Sequence, residues 1–432
     1  MRGSMAPHWR LPAEGKAMVT IDPRGGRTSS DSRISIITVA LCYLIALFEG
    51  FDLQSAGVAA PKLGPAFHLK SAQLGWFFSS STFGLMLGAA IGGRLSDRFG
   101  RKRVLIASVA VFGLMSVATG LAANFEMLLV ARFLTGLGIG GALPNLVALV
   151  SENSSPTRKN TSIGALYAGL PSGGAFVSLV AALGKSSDWS TIFFFGGIAP
   201  LVAIPLLLFA LPESRELHVA EGTMRADKAA RSSIPFALFG DGRAARTLPL
   251  WLSFFLALLT MYLLLNWLPT LLVSRGMSKP DASLVQLSFN LLGALASVCT
   301  GLMMDRFPLR SVIIGSFVSA ALCLLMLANI TPDLTTALVV GGLVGMTMSS
   351  TQALMYAIAP SVYPTEIRGT GVGSAVAVGR LGSAAGPLLA AVLLTGGGTA
   401  RSVLQVLVPV MLIGGASALF LVATQVRRKS SR

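Results

Sequence analysis

Five ionisable side chains interrupt stretches that are otherwise apolar: Glu49, Asp52, Arg132, Glu152 and Arg380. A charge at the centre of a hydrocarbon layer costs about 2.5–3.5 kcal/mol on insertion scales, so such groups face a helix-bundle interior or one another. Carboxyls can take up and release protons; a guanidinium can hold a carboxylate through two parallel hydrogen bonds. Glu49 lies three residues before Asp52, which puts both acids on one helix face. Asp52 lies eight residues before the end of its apolar run near Ala60, and Arg132 seven residues past the start of another near Phe125. At 1.5 Å per residue both sit about 10–12 Å deep, a shared depth that lets them pair if their two helices are neighbours. Such a pair suits proton coupling: Arg132 favours the charged acid while paired, and burial favours the neutral acid once the pair opens. Arg380, near the middle of its own run, is placed to take an anionic group. Glu152, at the end of a run, is expected to meet Arg98 or Arg103 at the membrane surface.

These residues need long apolar elements to hold them. Of the 432 residues, 53% are hydrophobic and only 12% charged, about half the charge of a soluble domain. A transmembrane barrel would alternate apolar and polar residues in segments of about ten, whereas here apolar stretches pass twenty. Reading for such stretches predicts an all-α polytopic membrane protein with spans near 34–60, 74–94, 103–123, 125–150, 161–183, 190–211, 247–273, 282–304, 310–330, 334–360, 369–394 and 402–425. The expected organisation is a disordered tail (1–33), a first six-helix half (34–211), a linker (212–246), a second half (247–425) and a short tail (426–432).

The net charge of +16 follows topology. With the amino terminus placed inside, the inside segments hold 26 of the 34 Lys and Arg and the outside loops six, which predicts two cytoplasmic termini. Nucleic acid is therefore not an expected partner; the lipid bilayer is. Cys42, Cys299 and Cys323 fall inside spans, and His8, His68 and His218 fall in the tail or loops, so neither a disulfide framework nor a metal site is expected. No P-loop or dinucleotide motif is present, so no cofactor and no direct ATP coupling are expected, and no reactive constellation points to an enzyme.

The two halves repeat. Gly93, Asp97 and Arg98 recur as Gly301, Asp305 and Arg306, and Pro156-Thr157 recurs as Pro364-Thr365, every pair 208 residues apart. Duplicated halves imply a cavity at their interface that opens alternately to either side, which is the architecture of transport. The membrane charges do not share the repeat: Glu49 maps to Ala257, Asp52 to Thr260, Arg132 to Val340 and Arg380 to Ser172. Residues held in one copy alone point to chemistry rather than scaffold.

The segment from Gly93 to Leu105, with Asp97, Arg98, Gly100 and Arg101, resembles the loop 2–3 signature of the major facilitator superfamily. Arg132, Gly136 and Gly138 resemble its span 4 motif, and Leu211–Arg215 and Pro364–Gly369 its domain-end motifs; the likeness covers about residues 34–425. It implies a gating role for Gly93, Asp97, Arg98, Arg101, Glu152, Asp305 and Arg368, with Asp97 capping the helix that begins near Gly369 when the protein faces outward.

Within that superfamily, Phe48-Glu-Gly-Phe-Asp52 resembles the span 1 motif of the aromatic acid:proton symporters, and Glu152, Asp305, Arg368 and Arg380 match charged positions there. Glu49–Ala60, Asn266–Pro269 and Ala375–Gly382 look like the 3-(3-hydroxyphenyl)propionate transporters. Two positions depart from the pattern: Glu49 replaces an Asp common in benzoate-type members, and Arg310 stands where some carry His. The resemblance implies a multi-pass protein of the bacterial inner membrane that imports an aromatic carboxylate together with protons, by alternating access. The proton would travel by Glu49, Asp52 and Arg132. Substrate would meet Arg380, with Phe51, Tyr262 and Trp267 among the aromatic walls, alongside Phe48, Tyr167, Phe289 and Tyr356. Asn266 and Gln352, with Gln286 and Asn290, would be polar handles. The alternatives are a benzoate-type organic-anion transporter and a drug or metabolite exporter of the same fold; Arg380 argues against cationic drugs.

Overall fold

The computed structural model describes residues 29–154, 159–184, 188–211, 238–240, 243–331, 333–363 and 367–430. Pro156–Arg158, residues 212–215, most of the expected linker and Pro364–Glu366 lie outside them.

Among the described residues, twelve helices are long and apolar enough to cross a membrane, one for each apolar run. The first six are α1 (Ser29–Ala66), α2 (Ser71–Phe99), α3 (Arg101–Gly120), α4 (Phe125–Asn153), α5 (Lys159–Leu183) and α6 (Ser190–Ala210). The second six are α7 (Ala244–Val273), α8 (Lys279–Arg306), α9 (Leu309–Asn329), α10 (Leu334–Val362), α11 (Arg368–Thr395) and α12 (Ala400–Ser430). A helix satisfies its backbone groups internally, which hydrocarbon demands. Where the chain turns, side chains cap exposed N–H groups: Asn124 accepts from Met127 and Asp333 from Thr336. Those hydrogen bonds hold the Asp333 carboxyl below the usual aspartate range.

The pairings repeat as the sequence does. In the first half α1 packs on α5, α2 on α4 and α3 on α6; in the second α7 packs on α11, α8 on α10 and α9 on α12. Glycines let backbones meet. A Cβ at Gly136 would land on the Ser81 carbonyl and one at Gly84 on the Phe133 carbonyl, so α2 and α4 touch main chain to main chain.

The halves join through α2 with α11, α5 with α8 and α1 with α7. They meet at the end that carries Lys62 and Lys279. There the Ser79 hydroxyl donates to the Ala384 carbonyl at 2.8 Å, and the Phe78 ring sits edge-on to Trp267 at 5.2 Å. The other, open end leaves the joining helices uncovered: nothing lies within 4 Å of a Cβ built on Gly93 of α2, Gly301 of α8 or Gly373 of α11.

Candidate functional site

Helix α1 brings its acids to the middle of the bundle, and their surroundings differ. Asp52 is fully buried and engaged: Arg132 Nη1 of α4 donates to its Oδ2 at 2.8 Å, and Ser116 of α3 donates to its Oδ1 at 2.7 Å. Arg132 Nη2 also donates to the Asp52 carbonyl at 3.2 Å, and the guanidinium lies 5.7 Å from the Phe193 ring centre. The Asp52–Arg132 pair expected from depth is present. Ser116 is a member that sequence reasoning missed, since a serine in an apolar span carries no distinguishing signal.

Glu49 is equally buried, with no solvent exposure, and neither carboxyl oxygen has a hydrogen-bond partner among the described residues. Its electrostatic neighbour is Arg380, on α11 of the other half. Arg380 is half-buried; its Nη1 donates to the Tyr262 hydroxyl of α7 at 2.6 Å, with the guanidinium 5.9 Å from that ring centre. Tyr356 of α10 and Tyr167 of α5 also lie within electrostatic reach of Arg380. Tyr167 is 46% exposed and neighbours both Arg380 and the enclosed Glu49. A guanidinium, three phenols and an unpartnered carboxyl thus come together where the halves meet, with groups from both halves.

Other expected substrate contacts lie elsewhere. Phe51 is turned into the first half, packed on Phe176 and Phe195 at 5.8 and 5.6 Å, because its helix position faces α5 and α6 rather than the interface. Trp267 is buried at the closed end and donates to the Pro387 carbonyl at 3.0 Å, so it joins α7 to α11. Asn266 is 4% exposed and donates back to the Tyr262 carbonyl one turn earlier, which leaves its amide little to offer a ligand. Gln352 is half-buried on α10. Gln286 and Asn290 are buried in contact with Gln54, an amide not singled out from sequence.

At the open end, Glu152 pairs with Arg101 rather than with Arg98 or Arg103. Arg101 opens α3 where it can reach the last turn of α4, whereas Arg98 lies over the Phe99 ring at 5.2 Å and Arg103 is exposed. Asp305 and Arg368 are exposed at the ends of α8 and α11, and Gly93 borders open space. The side-chain surroundings of Asp97 and Gly369 lie outside the described residues. Among the described residues no group of three His, Cys, Asp or Glu could hold a metal ion.

The family model described as Major Facilitator Superfamily matches residues 42–280 and 250–432. A similar protein is the 3-(3-hydroxy-phenyl)propionate transporter of Escherichia coli (strain K12), 41% identical over 93% of this chain and 97% of that one. The 4-hydroxybenzoate transporter PcaK of Pseudomonas aeruginosa is 35% identical over 86% of this chain and 88% of its own. Among solved structures, a D-xylose-proton symporter superposes with TM-score 0.73 at 20% identity, over 90% of this chain and 96% of that one. The nucleoside transporter NupG gives 0.74 at 13% identity, over 90% and 99%. These two speak for the fold alone. Twelve spans, paired as a repeat around charged groups where the halves meet, and matched in this way over nearly their whole length, make the chain a multi-pass membrane transporter of the Major Facilitator Superfamily.

Proposed function

We propose that the protein carries an aromatic carboxylate into the bacterial cell together with protons, the cargo being a hydroxylated arylpropionate or cinnamate such as 3-(3-hydroxyphenyl)propionate. The observation that carries this reading is the half-buried Arg380 fork, held by Tyr262 and ringed by Tyr356 and Tyr167, facing an unpartnered Glu49 across the interface. A guanidinium supplies the charge and planar fork that a carboxylate needs, and phenol rings supply flat apolar walls for an arene. The identity of 41% to an arylpropionate transporter, against 35% to a 4-hydroxybenzoate transporter, favours the longer acid.

Proton coupling is assigned first to Glu49. A carboxylate enclosed without partners is costly, so Glu49 is the acid with most to gain from a proton, while Asp52 already has Arg132 and Ser116. The excess of Lys and Arg in alternate loops supports cytoplasmic termini, which makes the open end the cytoplasmic one.

Purified protein in proteoliposomes, given radiolabelled 3-(3-hydroxyphenyl)propionate and an imposed inward proton gradient, tests the proposal. Gradient-dependent accumulation, displaced better by unlabelled arylpropionates than by 4-hydroxybenzoate, is expected. Preferential displacement by 4-hydroxybenzoate assigns a benzoate-type cargo, and no gradient-dependent accumulation overturns symport.

A further inference from the structure

The acid-bearing stretch of α1 carries a third polar residue, Gln54, whose task neither acid explains. Two residues beyond Asp52, it points to the opposite side of the helix, since each residue turns the direction by 100°. Asp52 faces α3 and α4; Gln54 crosses to the other half. Its Nε2 donates to Asn290 Oδ1 of α8 at 3.0 Å, and its Oε1 accepts from Asn290 Nδ2 at 2.8 Å and from Gln286 Nε2 at 3.3 Å. All three amides are buried, at 5%, 0% and 3% exposure for Gln54, Gln286 and Asn290. Gly174 of α5 makes the room, because a Cβ there would overlap the Gln54 amide.

We infer that Gln54, Asn290 and Gln286 form a neutral clasp that holds the halves shut at the Lys62 end, with Gln54 a positioning residue tying the acid-bearing segment of α1 to that closure. Buried amides are costly unless hydrogen-bonded. Gln54 and Asn290 have both amide atoms bonded, whereas Gln286 Oε1 has no partner among the described residues. The Gln54–Asn290 pair is therefore the core of the clasp, and its two bonds break together. Reciprocal amide bonds also fix length: one methylene removed from or added to either side alone breaks the match of donor with acceptor. The bonds carry no net charge, so this closure is little affected by salt. The inference rests on the halves moving against each other and not on the identity of the cargo.

The test is an interhalf distance measurement on the full-length protein in lipid nanodiscs. Its three native cysteines are replaced, and spin labels are attached at Ala123→Cys and Thr335→Cys, both exposed at the closed end. Gln54→Leu and Asn290→Leu are expected to add a second, longer-distance population. Gln54→Asn and Asn290→Gln alone should do the same, and the double swap Gln54→Asn/Asn290→Gln should restore the original distribution, because the methylene lost on one side returns on the other. Should the leucine variants fail to fold, the amide swaps decide by themselves. Unchanged distances in the single swaps, or a long-distance population that the double swap does not reduce, overturns the clasp.

Discussion

Glu49 and Asp52 stand three residues apart on α1, both without solvent exposure, yet only Asp52 is held: Arg132 and Ser116 donate to its carboxylate, while the Glu49 oxygens receive nothing among the described residues. Two acids so close in sequence therefore have separable tasks. Asp52 ties α1 to α3 and α4; Glu49, with no such bonds among the described residues, is the acid to which the proposed function gives the proton.

Glu49→Gln removes the titratable group and keeps the shape. It should abolish accumulation driven by a proton gradient while leaving counterflow exchange of labelled for unlabelled substrate running. Full accumulation in this variant moves the proton to Asp52.

Removing one partner of a buried ion pair leaves an uncompensated charge, at about 3–5 kcal/mol. Arg132→Met should therefore lower the thermal unfolding midpoint in detergent sharply, and Arg132→Met/Asp52→Asn should recover part of the loss. If the single and double variants unfold together, the pair contributes little to the fold.

Arg380→Lys keeps the charge and loses the planar fork. With a charge-assisted hydrogen bond worth about 1.5–3 kcal/mol, substrate affinity should fall roughly 10- to 100-fold. Binding to purified protein by calorimetry reads this directly, and an unchanged Kd takes Arg380 out of the binding site.

At Gly136 the expected effect is steric, since a Cβ there meets the Ser81 carbonyl of α2. Gly136→Ala should destabilise by about 1–3 kcal/mol through overpacking, seen as a lower unfolding midpoint. Gly93→Ala, where no atom lies within 4 Å, should not lower the midpoint, since Ala favours the helix over Gly, and serves as the comparison. Equal effects at the two positions contradict the close approach of α2 and α4.

Much of this molecule is legible one residue at a time. Hydrocarbon admits only helices and closed barrels, and apolar runs past twenty residues rule out the barrel, so twelve runs give twelve spans; the 208-residue offset foretells helix pairings that repeat between the halves. Charges too costly to face lipid had to turn inward, and Asp52 and Arg132 could be matched from their equal depth once the resembled fold made their helices neighbours. What a linear pattern does not carry is the azimuth of each helix against its neighbours. That rotation turns Phe51 into the first half, Trp267 to the closed end and Asn266 onto its own backbone, while it brings Tyr167 to Arg380 and Glu49. Likewise, Arg101 rather than Arg98 or Arg103 meets Glu152, and Gln54 finds Asn290 across 236 positions of chain. Burial cost is a property of each side chain and so is written in the sequence; choice of partner depends on how helices rotate and approach, which only their packing in three dimensions decides.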